Sequence, residues 1–138
     1  MIQWEVSAEV GCGRSLKSSQ RVLELVNKKL KSEKGRAFFY LVTPHTMQEI
    51  NRQTRGQNKP TNVLSFPAKN FRAGRENLLG EIFLCPKEAR RRKDEPAHLI
   101  IHGILHLLGY THEKARDTME MENQEDKILD YVAHNYRT

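Results

Sequence analysis

His98-Leu-Ile-Ile-His102-Gly-Ile-Leu-His106-Leu-Leu-Gly-Tyr-Thr-His112 is the stretch on which the reading of this chain depends, because four of the six histidines fall inside it. The residues between them are mostly apolar. His102 and His106 are four apart, so on a helix they stand one above the other on a single face. That is the spacing two imidazoles need to grip one metal ion. Gly109 is placed to end such a helix in the left-handed conformation, after which His112 can swing back as a third ligand. Three histidines leave a tetrahedral ion one open position, the mark of a catalytic rather than a structural zinc site. The expectation is one Zn2+ per chain, held by His102, His106 and His112, with His98 outside the ligand set.

The spacing HxxxHxxGxxH is that of the long zincin protease motif. Those motifs carry a glutamate directly after the first histidine as general base, and Gly103 stands there instead. The scaffold is therefore expected to be zincin-like with its chemistry arranged differently. Gly103 costs a helix interior about 1 kcal/mol relative to Ala. Its expected use is the close approach of another backbone or of substrate, or plain tight packing.

Around this stretch lies a chain of 138 residues with 38% hydrophobic and 29% charged content, which predicts one domain with its own core. No apolar run approaches a membrane span, and no partner membrane is expected. Met1-Ile-Gln-Trp-Glu-Val lacks a basic region followed by an apolar one, so no secretory signal is read. Cys12 and Cys85 fit neither a disulfide framework nor a cysteine zinc cluster. These features predict the cytoplasm, where thiols stay reduced. The net charge of +6 favours a polyanionic partner such as nucleic acid.

In chain order, Ile2-Gln-Trp4-Glu-Val6 alternates as a half-buried strand does. Ser18 or Ser19 is read as the cap of a helix through about Leu30, with Val22, Leu23, Leu25, Val26 and Leu30 on its buried face. Ala37–Val42 is a second strand. Thr43-Pro44 opens a second helix, with Met47 and Ile50 inward. Residues 51–62 are expected to form a polar loop that carries Arg55. Val63–Phe66 and Leu78–Leu84 complete four strands, joined by a basic connection from Lys69. Glu81 is expected either solvated on an edge strand or facing the metal. Pro86–Lys93 reads as a short basic helix, Glu95-Pro96 opens the histidine helix, and a last helix from Glu113 turns Met119, Ile128, Leu129 and Val132 inward. The sum is an α+β fold, a small mixed sheet of about four strands packed with helices, the histidine helix near the C-terminus.

Beyond the histidines, Arg55-(x4)-Pro60-Thr61-Asn62-Val63-Leu64-Ser65-Phe66-Pro67 and Leu79-Gly80-Glu81-Ile82 occur in a telling order. Together with His102-Gly-(x2)-His106-Leu-Leu-Gly-Tyr-(x)-His112 they resemble the bacterial YbeY family of rRNA maturation factors with endoribonuclease activity. The resemblance runs from about Ala37 to the last helix. It implies a zinc-dependent endoribonuclease selective for single-stranded RNA, acting on the 3′ end of small-subunit rRNA and in late ribosome quality control. The partners implied are RNA and the ribosome, with no DNA. By position, His102, His106 and His112 match the family's metal ligands and Arg55 its functional arginine. Three positions depart from the pattern: Asn62 and Thr111 stand where Asp is usual, and Thr54 where an aromatic is. Two fewer carboxylates near the motifs imply a weaker hydrogen bond to a ligand or an altered metal preference.

In the chemistry so implied, Arg55 offers a planar fork for two phosphate oxygens. Arg72, Arg75, Arg90, Arg91 and Arg92 are candidate guides for the RNA backbone. The nucleophile is left open between water and the ribose 2′-OH. A zinc metalloprotease and a non-catalytic RNA-binding assembly factor with a structural metal are the alternatives.

Overall fold

The computed structural model describes residues 1–68 and 77–137. Arg72 and Arg75, with the rest of the basic connection expected from Lys69 to Asn77 save Asn77 itself, lie outside the described residues. Four strands form one sheet in the order β1-β2-β4-β3, made of β1 (Ile2–Ala8), β2 (Gly35–Leu41), β3 (Val63–Pro67) and β4 (Leu78–Leu84). β1, β2 and β4 are parallel. β3 runs antiparallel to β4 along the outer edge, setting Val63 against Leu84, Ser65 against Ile82 and Pro67 against Gly80. Pro67 is tolerated in β3 because an edge strand can spare the donor that proline lacks.

Alternation along the strands sends Ala37, Phe39, Leu41, Ile82 and Leu84 to one face, where all are buried. There they meet Val22, Leu23, Leu25 and Val26 of α1 (Leu16–Lys29) and the apolar flank of α4 (Pro96–Leu107). α5 (Ala115–Asn135) packs over α1 and α4. The opposite face carries Tyr40 and Phe83, with ring centroids 4.7 Å apart. On that side α2 (Pro44–Arg55) buries Met47 against Val42, Leu64 and Cys85. The helix α3 (Pro86–Arg91) links β4 to α4.

α4 lies close over β3 and β4 because two glycines let it. A side chain on Gly80 (φ +144) would start 2.2 Å from the Phe66 carbonyl oxygen and 2.7 Å from Leu107. Gly103 faces Ile82, whose Cδ1 would sit 3.1 Å from an added methyl group. The glycine after His102 thus serves packing against the sheet, and a side chain there would press on Ile82 of β4.

The helix after β1 begins at Leu16, with Ser15 at the capping position, rather than after Ser18 or Ser19. Gly13–Ser15 already forms a helical turn that feeds it, and Ser19 is buried. α2 runs on to Arg55 and ends at Gly56, so residues 51–55 are helix rather than loop. Its start is as read, with the Thr43 side chain accepting from the Thr46 N–H. In α5 the inward stripe is Met121, Glu125, Ile128 and Val132, while Met119 is exposed. Glu81 fulfils neither expectation. β4 is an inner strand, and Glu81 points to the face away from α4, where it accepts a hydrogen bond from the Tyr40 hydroxyl at 3.3 Å.

Candidate metal centre

α4 presents His102 and His106 from one side, with their Nε2 atoms 3.0 Å apart. The helix stops in a pair of hydrogen bonds, Gly109 N–H to His106 O and Tyr110 N–H to Leu105 O. That reversal needs a positive φ, supplied by Gly109 at +101. It brings His112 back over the same helix face, its ring centroid 5.2 Å from that of His102 and 5.3 Å from that of His106. One ligand atom from each of the three lies within 4.8 Å of the others, the only group of its kind among the described residues. His98 is not in it.

The hydrogen bonds on the far side of the rings fix what the near side offers. His106 Nδ1 donates to the Tyr110 carbonyl (3.1 Å), and His102 Nδ1 donates to the Glu125 carboxylate (3.1 Å). With both Nδ1 atoms acting as donors, the neutral rings aim two Nε2 lone pairs at one point. Such an arrangement calls for a cation or a shared proton. The 3.0 Å separation is close to the ~3.3 Å edge of a tetrahedron with ~2.0–2.1 Å bonds, so the residues fit the ion the spacing implies. Burial, reinforced by His102, pushes the His106 imidazole below its ordinary value of 6.5, which keeps it neutral.

Glu125 was not legible in the sequence as part of this site. It is buried on α5, and its second carboxylate oxygen takes a hydrogen bond from His98 Nε2 at 2.7 Å. A carboxylate behind a ligating imidazole sets its tautomer and orientation. Neither Asn62 nor Thr111 holds an imidazole. Asn62 bridges the Val63 N–H and Asp94, and Thr111 reaches only Asp117, at 3.5 Å. Thr54 bonds back to the Ile50 carbonyl on the exposed side of α2.

His102 and His106 floor a cleft of about 650 Å³. Arg55, Lys59 and Arg92 line it, and among the described residues no carboxylate does. Arg55 sits at the exposed end of α2, and its side chain makes no ion pair or hydrogen bond among the described residues. The loop it overlooks is tied down: buried Asn51 donates to the Lys59 carbonyl (2.9 Å), and Arg92 donates to that of Pro60 (3.3 Å). Arg92 is itself braced by Glu88, which Arg91 also engages. Of the predicted site residues, His102, His106 and Arg55 share this cleft, and His112 closes on the two imidazoles from beyond Gly109.

Fold and site together define a mixed-sheet protein with a three-histidine centre on a zincin-like helix. The family model described as Endoribonuclease YbeY matches residues 6–133. The chain belongs to that family. A curated relative named Endoribonuclease YbeY from Bartonella bacilliformis is 44% identical over 97 residues, covering 63% of this chain and 61% of the relative. One of the same name from Pseudoalteromonas translucida is 40% identical over 90 residues, 59% of each. The chain thus spans about three fifths of the length of the curated relatives it matches. The solution structure of TM1509 from Thermotoga maritima is similar with a TM-score of 0.61 at 30% identity, over 99% of this chain and 92% of that one.

Proposed function

We propose that this chain is a metal-dependent endoribonuclease, one domain over residues 1–138, that cuts single-stranded RNA. His102, His106 and His112 hold one Zn2+, a choice that suits three imidazoles with an open position. The reading rests on one observation above the rest: the convergent imidazoles open into a cleft lined by Arg55, Lys59 and Arg92, with no acid lining it among the described residues. A cleft of that charge favours a phosphodiester. A zincin-type protease is disfavoured, since the glutamate base that directly follows the first histidine is replaced by Gly103, packed against Ile82.

When bound, the ion supplies Lewis acidity toward a phosphoryl oxygen and brings the acidity of water near neutrality. The chain's own residues do the rest. Glu125 and the Tyr110 carbonyl hold the Nδ1 protons of His102 and His106, which leaves both Nε2 atoms free to ligate. Arg55 lays its fork on the phosphate as charge develops there, and Lys59 and Arg92 steady the neighbouring backbone. Family membership supports small-subunit rRNA and the ribosome as the setting, and the cytoplasm follows from that partner. Among the described residues no helix is long and apolar enough to cross a membrane.

The test is cleavage by the purified, metal-loaded protein of single-stranded RNA, double-stranded RNA and casein, with and without chelator. Chelator-sensitive cutting of single-stranded RNA alone is the expected result. Casein cleavage, or RNA cutting indifferent to chelator, would overturn the reading.

A further inference from the structure

A second basic cleft, of about 320 Å³, lies beside the first along the same edge of the sheet. It sits where the parallel strands end, at Ala8, Leu41 and Leu84, the edge at which open α/β sheets place their ligands. Val63, which lines the histidine cleft, is paired with Leu84 at that same edge. Arg14, Lys87 and Arg90 line the second cleft, and none of their side chains forms an ion pair or hydrogen bond among the described residues. The contrast with their neighbours is sharp. Arg52 pairs with Glu49, and Arg91 and Arg92 pair with Glu88. The acidic residues of the adjoining segments are committed elsewhere: Glu88 to those arginines, and Glu9 to the start of α2, where it accepts from Thr43 N–H and the Thr46 hydroxyl, both at 2.8 Å.

Two elements run from one cleft to the other. α3 carries Lys87 and Arg90 into the second cleft, and Arg92, at its end, into the first. α2 begins at Thr43-Pro44 in the second and ends at Arg55 in the first. From these placements we propose that Arg14, Lys87 and Arg90 form a secondary site for the phosphate backbone of single-stranded RNA, gripping the substrate several nucleotides away from the bond cut in the histidine cleft. This rests on the ribonuclease reading and adds to it a footprint. The 12 residues of α2 span about 18 Å at ~1.5 Å each, or about five stacked nucleotides at ~3.4 Å each. RNA long enough to bridge both clefts gains contacts that a shorter one lacks, so affinity grows with length beyond that span.

The experiment uses metal-loaded protein and 2′-O-methyl phosphorothioate oligouridylates, which resist cleavage, about four and about fifteen nucleotides long. The triple variant Arg14→Ala, Lys87→Ala, Arg90→Ala is compared with the parent by fluorescence anisotropy at several salt concentrations, its melting temperature serving as the folding control. All three side chains are exposed, so the melting temperature is expected to stay put. The long probe should bind roughly tenfold or more weakly, with its log–log salt slope reduced by about 2, while the short probe is held as before. Equal weakening of both probes would mean diffuse electrostatics and overturn the site, as would an unchanged long-probe affinity. Failure of the parent protein to bind either probe would instead overturn the ribonuclease reading beneath it.

Discussion

Glu125 does for His102 what the Tyr110 carbonyl does for His106, and the two acceptors together decide which nitrogen each ring presents. Glu125→Gln keeps the shape but gives up the charge that favours a protonated Nδ1. Zinc affinity, read by competition with a chromophoric chelator, should fall about 10–100-fold. Arg55→Ala should leave metal content and melting temperature unchanged while RNA cleavage drops ~100-fold or more, the scale of losing one preorganised donor. Arg55→Lys should rescue little, since an ammonium restores charge without the fork. Full activity in Arg55→Ala would move the phosphate clamp to Lys59 or Arg92. His106 adds a pH dependence whose sign follows from its burial. The folded, metal-free protein resists protonating this imidazole, whereas the unfolded chain accepts the proton near 6.5. Stability of the chelated protein should therefore fall as pH drops below that value, because the unfolded state binds more protons. Thermal melts at about pH 7.5 and about pH 5.5 test this, and His106→Ala should remove part of the difference.

At the level of elements, the histidine helix and its stop were legible because they need only local chemistry: ligand spacing, an apolar flank and Gly109. The strands were legible for the same reason, alternation or an unbroken apolar run. On α5 Ile128 and Val132 are buried as expected and Met119 is not, because the buried stripe passes through Glu125, a residue whose burial depends on two histidines of another helix. Without that charge in the stripe, Met119 looks as apt to face inward as Met121. α2 was cut short because Asn51-Arg-Gln-Thr-Arg55 has no apolar member to mark a helix, and the tertiary bond from Asn51 to Lys59 lies outside any local pattern. Glu81 was misplaced because sheet order is a global property, and nothing within β4 announces that β3 will pair outside it. Gly80 is the position where strand and helix meet most tightly. Gly80→Ala should cost about 3 kcal/mol or more, or prevent folding, through its φ and the clash with Phe66. A melting temperature like that of the parent would mean β3 and α4 are not held this closely.

For the whole molecule, the +6 charge is partly gathered at the clefts: Arg52 and Arg91 pair with neighbouring glutamates, Arg92 is braced by Glu88 where it lines the histidine cleft, and Arg14, Arg55, Lys87 and Arg90 line the two clefts without such partners among the described residues. RNA affinity should accordingly fall steeply between about 50 and about 200 mM salt, and an affinity indifferent to salt would reduce the charge to a surface property. The central claim is that three histidines assemble one metal on which RNA cleavage depends. The most direct measurement titrates Zn2+ into chelator-stripped protein while following cleavage of single-stranded RNA, for the parent and for His106→Ala. Activity should rise with metal and level off at one equivalent in the parent, with neither stoichiometric binding nor cleavage in the variant. Full cleavage by the stripped parent, or an unaltered titration in His106→Ala, would contradict it.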